Sequence, residues 1–144
     1  MTQIAETVLW NGVTYQLLLP AAQSGGTLSI FESADNPGYG PPRHIHHDAD
    51  ETFVVLAGAV DFLLDGVVSR VGRGQTIFIP RGTEHGFCVR GDGAARMMTV
   101  MTPGGFEGFF REMATGNYRI PQDMGQIVPI AAAYHLEFTG PPLE

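Results

Sequence analysis

From Thr7 to Met101 apolar and polar residues alternate in short runs cut by turn residues. A period of two is the mark of half-buried β-strands. Residues 7–10 and 13–19 flank Asn11-Gly12, a dipeptide that favours the two-residue turn of a hairpin. Residues 27–33 read as a strand in which Leu28 and Ile30 alternate with Ser29 and Glu32, and Phe31 breaks the pattern. Asp35 to Pro42, DNPGYGPP, is a loop by composition. Further strands are predicted over 51–56, 59–64, 67–71, 76–79, 84–89 and 95–101, with Asp65-Gly66 as a second hairpin turn and Pro80 as a stop.

After Gly104 the period changes. In FEGFFREMA the side chains of Phe106, Phe109, Phe110 and Met113 fall on one helical face. A second helical stripe opens at Asp123 and runs through Ile127, Ile130, Ala131, Tyr134 and Phe138, with Pro129 inside it to kink or delay the helix. The pattern predicts an all-β barrel over 7–102 and a C-terminal helical extension over 104–138. A length of 144 residues suits one domain with a sizeable core, so 1–144 is read as a single unit.

Composition adds exclusions. Apolar residues at 44% and charged residues at 16% are those of a globular chain. The net charge of -7 comes with no basic cluster, so the electrostatic footprint of a nucleic-acid binder is missing. One cysteine, Cys88, rules out an internal disulfide and fits a reducing, cytoplasmic setting. It reads as a small buried thiol. No stretch approaches the roughly 20 apolar residues that span a bilayer, and the N-terminus lacks the basic start and apolar run of a signal peptide.

The chemistry is concentrated in two stretches. In GYGPPRHIHHDADETFVVLAG, His44 and His46 are two apart and share one face of an extended segment, and Glu51 follows a short polar loop. GQTIFIPRGTEH brings a further imidazole, His85, after a turn. Imidazole and carboxylate together admit Mn, Fe, Co, Ni, Cu or Zn. Three nitrogens and one oxygen leave positions open on a six-coordinate ion, as a catalytic metal requires. His47 faces the other way and is read as solvated, and Arg43 and Arg81 are assigned to the surface.

Phe53 and Val55 share the parity of Glu51, and Phe87 shares that of His85. Ile77 adds to this face, as does either the pair Met98 and Val100 or the pair Met97 and Met101. Phe53, Val55, Ile77, Phe87 and Met98, with Phe106 from the helix, are the candidate substrate-binding residues. Such a lining suits a small aromatic or otherwise hydrophobic substrate.

The two stretches resemble the paired motifs of the cupin superfamily. Gly38, His44, His46, Glu51 and Gly58 match the first at its spacing. Gly74, Pro80, Gly82 and His85 match the second, with Val89 where the family has Asn. The resemblance implies a double-stranded β-helix, or jelly-roll barrel, with short helices outside it. It implies one divalent transition metal inside, held by His44, His46, Glu51 and His85, and a homodimer formed through sheet edges. The segment MTPGGFEGFFREMA looks like the one that follows the barrel in small quercetinase-like cupins. The expected function is therefore a metal-dependent dioxygenase acting with O2 on a flavonol-like substrate, with Glu51 as ligand or as the base that takes the substrate hydroxyl proton. One alternative is an isomerase, lyase or cyclase that acts on a carbonyl compound without O2. A second is a non-enzymatic small-molecule binder.

Overall fold

Asn11 and Gly12 both adopt positive φ, 54° and 76°. That geometry matches the right-handed twist of two antiparallel strands, so β1 (Glu6–Trp10) folds directly back as β2 (Val13–Leu19). The computed structural model describes residues 5–144. Its remaining strands are β3 (Ser29–Asp35), β4 (Pro42–His46), β5 (Asp50–Ala57), β6 (Ala59–Leu64), β7 (Val67–Gly72), β8 (Thr76–Ile79), β9 (His85–Arg90), β10 (Ala95–Thr102) and β11 (Leu136–Pro142).

They form two antiparallel sheets, ordered β1-β2-β3-β10-β5-β8 and β11-β4-β9-β6-β7. From β3 onward the chain changes sheet at almost every connection, the alternation that makes a jelly-roll barrel. The crossing from β3 to β4 is fixed by a close approach. Gly38 N–H donates to the Val89 carbonyl and Val89 N–H donates to the Tyr39 carbonyl, both at 2.9 Å. A Cβ on Gly40 would lie 2.0 Å from the Phe87 carbonyl oxygen, so only glycine fits there.

Inside, one apolar cluster packs around Val55, Val60, Phe62, Ile79, Val89 and Met97. Val89 is 1% exposed, so this position of the second motif serves packing. A second cluster joins Trp10, Tyr15 and Phe31 to the helices. Helix α1 (Glu107–Gly116) buries Phe109, Phe110 and Met113, and ends where Asn117 turns left-handed at φ 50°. Its first residue, Glu107, is buried and accepts hydrogen bonds from Ala21 N–H, Ser29 Oγ–H and Gly105 N–H, which tie the helix to β3.

The end of the chain departs from the expected pattern. Helix α2 (Met124–Ala133) stops four residues after Pro129, and residues 136–142 are strand, not helix. Proline supplies no N–H to the helix, and His135 turns the chain at φ 59°. Leu136 and Phe138 face inward while Glu137 and Thr139 are exposed, a period of two. The edge of β4 needs hydrogen-bond partners, and β11 supplies them, pairing Leu136 with His46 and Phe138 with His44.

Candidate metal centre

Strand alternation puts His44 and His46 on the inner face of β4. Across the ladder His44 pairs with His85 at the start of β9. Glu51 comes from β5 in the facing sheet. Three imidazoles and one carboxylate thus converge from opposite walls, and one donor atom from each lies within 4.8 Å of the others. His46, Glu51 and His85 are buried and His44 is partly so.

The ring orientations are set from behind. His44 Nδ1–H donates to the Pro42 carbonyl at 2.7 Å, and His85 Nδ1–H donates to the Thr83 carbonyl at 2.9 Å. Both Nε2 atoms are thereby left for the centre, the usual way a second hydrogen bond selects the ligating nitrogen. His85 Nε2 lies 3.0 Å and His46 Nε2 3.7 Å from Glu51 Oε1. His46 Nδ1 is buried with no partner among the described residues. Its ring is held instead by Phe106, which meets it edge to face at 4.6 Å.

The protonation pattern fits a cation. Burial, followed by the charge of His85, lowers His44 to about 3. Burial and the neighbouring imidazoles hold His46 well below its ordinary value. Both are neutral, as ligation demands. Burial also pulls His85 down, but the hydrogen bond and charge of Glu51 and the Thr83 carbonyl outweigh it, and its pKa is raised. The Glu51 carboxylate beside His85 thus favours positive charge at the point where the donor atoms converge. Neutral imidazoles aimed by carbonyls, together with a carboxylate, fit a divalent transition metal.

The cluster opens on a cavity with an empty volume of about 740 Å³, part of it continuous with solvent. Phe53, Phe87 and Phe106 line it. Val55, Ile77 and Met98 do not. Val55 is fully buried in the apolar cluster around Phe62 and Val89, and Ile77 packs against that same cluster. On β10 the inward face carries Met97, Thr99 and Met101, so Met98 points outward and Met97 lines the cavity instead.

Sequence reasoning missed the opposite wall. Trp10, Tyr15, Phe31, Ser33, Asp35 and Tyr39 all line the cavity. The inner face of β3 is Ser29, Phe31, Ser33 and Asp35, not Leu28 and Ile30. Phe31, the residue that broke the alternation, was the signal for the true face. Away from the cavity, exposed His47 pairs with Glu137 at 2.8 Å, and Asp50 accepts from the backbone and side chain of Arg81. Cys88 is buried.

Two facing sheets around an inner histidine and carboxylate cluster define a cupin barrel. Residues 32–101 match the family model described as a cupin domain. It is 28% identical over 105 residues to the tetracenomycin polyketide synthase protein TcmJ of Streptomyces glaucescens, covering 72% of this chain and 69% of that one. It is 31% identical over 94 residues to the oxidoreductase iacF of Pestalotiopsis fici, covering 60% of this chain and 45% of that one. Among solved structures, the polyketide cyclase RemF of Streptomyces resistomycificus is 26% identical with a TM-score of 0.59, covering 71% of this chain and 79% of that one. No helix among the described residues is long and apolar enough to cross a membrane.

Proposed function

We propose that the protein is a metal-dependent enzyme that closes or rearranges rings on a planar, polyoxygenated substrate without consuming dioxygen. The carrying observation is the cavity itself, with aromatic walls, a ligand cluster on one side and oxygen-seeking groups on the other. The names of two relatives, a polyketide synthase protein and a polyketide cyclase, support this choice over the expected dioxygenase.

A divalent metal held by His44, His46, Glu51 and His85 would supply Lewis-acid polarisation of a substrate carbonyl. Phe53, Phe87 and Phe106 stack the planar substrate and exclude water from it. Glu51 takes the proton from an acidic carbon between two carbonyls. That carbon then attacks a further carbonyl of the same substrate, and Glu51 returns the proton to the new alkoxide. Base catalysis of this kind is worth about 10²–10⁴-fold.

A flavonol-type dioxygenase is the second reading, supported by the Phe-rich segment around α1 and by the name of the oxidoreductase relative. Turnover of an aromatic poly-β-ketone by the metal-loaded protein, followed with an oxygen electrode, separates the two. The expected result is equal turnover in air and under nitrogen. Stoichiometric oxygen uptake, with activity lost under nitrogen, assigns the dioxygenase instead.

A further inference from the structure

The cavity has a second polar pole that the metal chemistry does not use. Asp35 is 1% exposed and lies at the end of β3, on the cavity wall. Ser33 Oγ–H donates to its Oδ2 at 2.8 Å. No other hydrogen bond reaches the carboxyl among the described residues, and no Arg or Lys pairs with it. Beside it stand Tyr15 and Tyr39, and both phenols feel the charge of Asp35. A buried carboxyl with one oxygen uncommitted and no counter-charge is costly to keep. It is understandable where a ligand supplies the missing donor.

The ladder gives the position of this pole. Glu51 pairs with Met101, and Met101 pairs with Ser29. Ser33 lies four residues further along β3, next to Tyr15 on β2. At ~3.3 Å per residue, Glu51 and the Ser33 that holds the Asp35 carboxyl are roughly 13 Å apart measured along the strand. The wall between carries Phe31, Phe53 and Thr99. A single ring does not bridge such a span, whereas a chain of rings with oxygens at both ends does.

We propose that Asp35, held by Ser33 and flanked by Tyr39, is a specificity-determining residue that accepts a hydrogen bond from a hydroxyl at the end of the substrate remote from the histidine cluster. The substrate class is then a planar polyphenol of two or more rings, hydroxylated at both ends. This rests on the reading of the cavity as a site for polyoxygenated aromatic compounds.

Trp10 is the only tryptophan and lines the cavity, so its emission reports occupancy without turnover. The experiment titrates zinc-loaded wild type, D35N and D35A with galangin and with kaempferol. The two flavonols differ by one hydroxyl on the ring farther from the chelating keto-enol. Wild type is expected to bind kaempferol about tenfold to a hundredfold tighter, as for a hydrogen bond to a charged group. D35A loses that preference while keeping its affinity for galangin, and D35N retains only part of it. Zinc content and the thermal midpoint of each variant check that the fold and the histidine cluster survive. If wild type binds both flavonols equally, or D35A keeps the preference, Asp35 is not the recognition point and the aromatic reading stands. If neither flavonol quenches Trp10, the aromatic reading fails and the role of Asp35 falls with it.

Discussion

Asp35→Asn should make the protein more stable at neutral pH, by an amount that the structure sets. Burial pushes the Asp35 carboxyl up from 3.8 to about 6, and the Ser33 hydrogen bond only partly offsets this. The folded state therefore holds a proton that the unfolded chain has already released. A raised pKa contributes stability that is complete below the unfolded value and is lost as pH rises through the folded one. The window runs from about 4 to about 6. Two units at ~1.4 kcal/mol each put the loss at roughly 3 kcal/mol, a large part of the 5–15 kcal/mol typical of a domain. Asparagine is nearly isosteric, its amide oxygen can still accept from Ser33, and it does not ionise. Urea unfolding of wild type and Asp35→Asn across this range isolates the effect, since every other titration is shared. The stability difference should grow in favour of the variant by roughly 3 kcal/mol from acid to neutral pH. A difference that stays constant with pH would refute the reasoning, because no penalty for ionising Asp35 would then exist. The penalty also shows what its proposed recognition role costs: stability is given up to keep an ionised carboxylate on the cavity wall.

Removing bound metal with a chelator should lower the thermal midpoint, and restoring Zn²⁺ at a hundred times its dissociation constant should return about 2.7 kcal/mol. His46→Ala should abolish that response, whereas a response equal to wild type would count against His46 as a ligand. Gly40→Ala drives a methyl to 2.0 Å from the Phe87 carbonyl oxygen, a backbone atom that cannot swing aside. It should cost about 1–3 kcal/mol or more in urea unfolding, and a variant as stable as wild type would show that the crossing from β3 to β4 is loose.

Much of the architecture is legible in residues alone. Asn11-Gly12 and Asp65-Gly66 announce hairpins because few other dipeptides tolerate two positive φ angles in succession. His44 and His46 declare themselves because their spacing fits one strand face, and Glu51 and His85 because they stand at the spacing of two paired motifs. Strand ends elsewhere shift by a residue or two, where local sequence is neutral between strand and turn.

What the sequence determines by itself is therefore local: periods, turns, and the side chains able to hold a metal. Only the tertiary structure decides what stands opposite them. β11 is strand because the edge of β4 pairs with it, which decides between the helical stripe and the period of two that both run through Phe138. Met97 replaces Met98 on the cavity wall because the register against β5 and β3 fixes which face of β10 is inside. Asp35 reads as loop polarity until β3 extends to include it and turns it, with Ser33, toward the same cavity as the histidines. Burial and proximity belong to pairs of distant segments, and only the packed barrel brings those segments face to face.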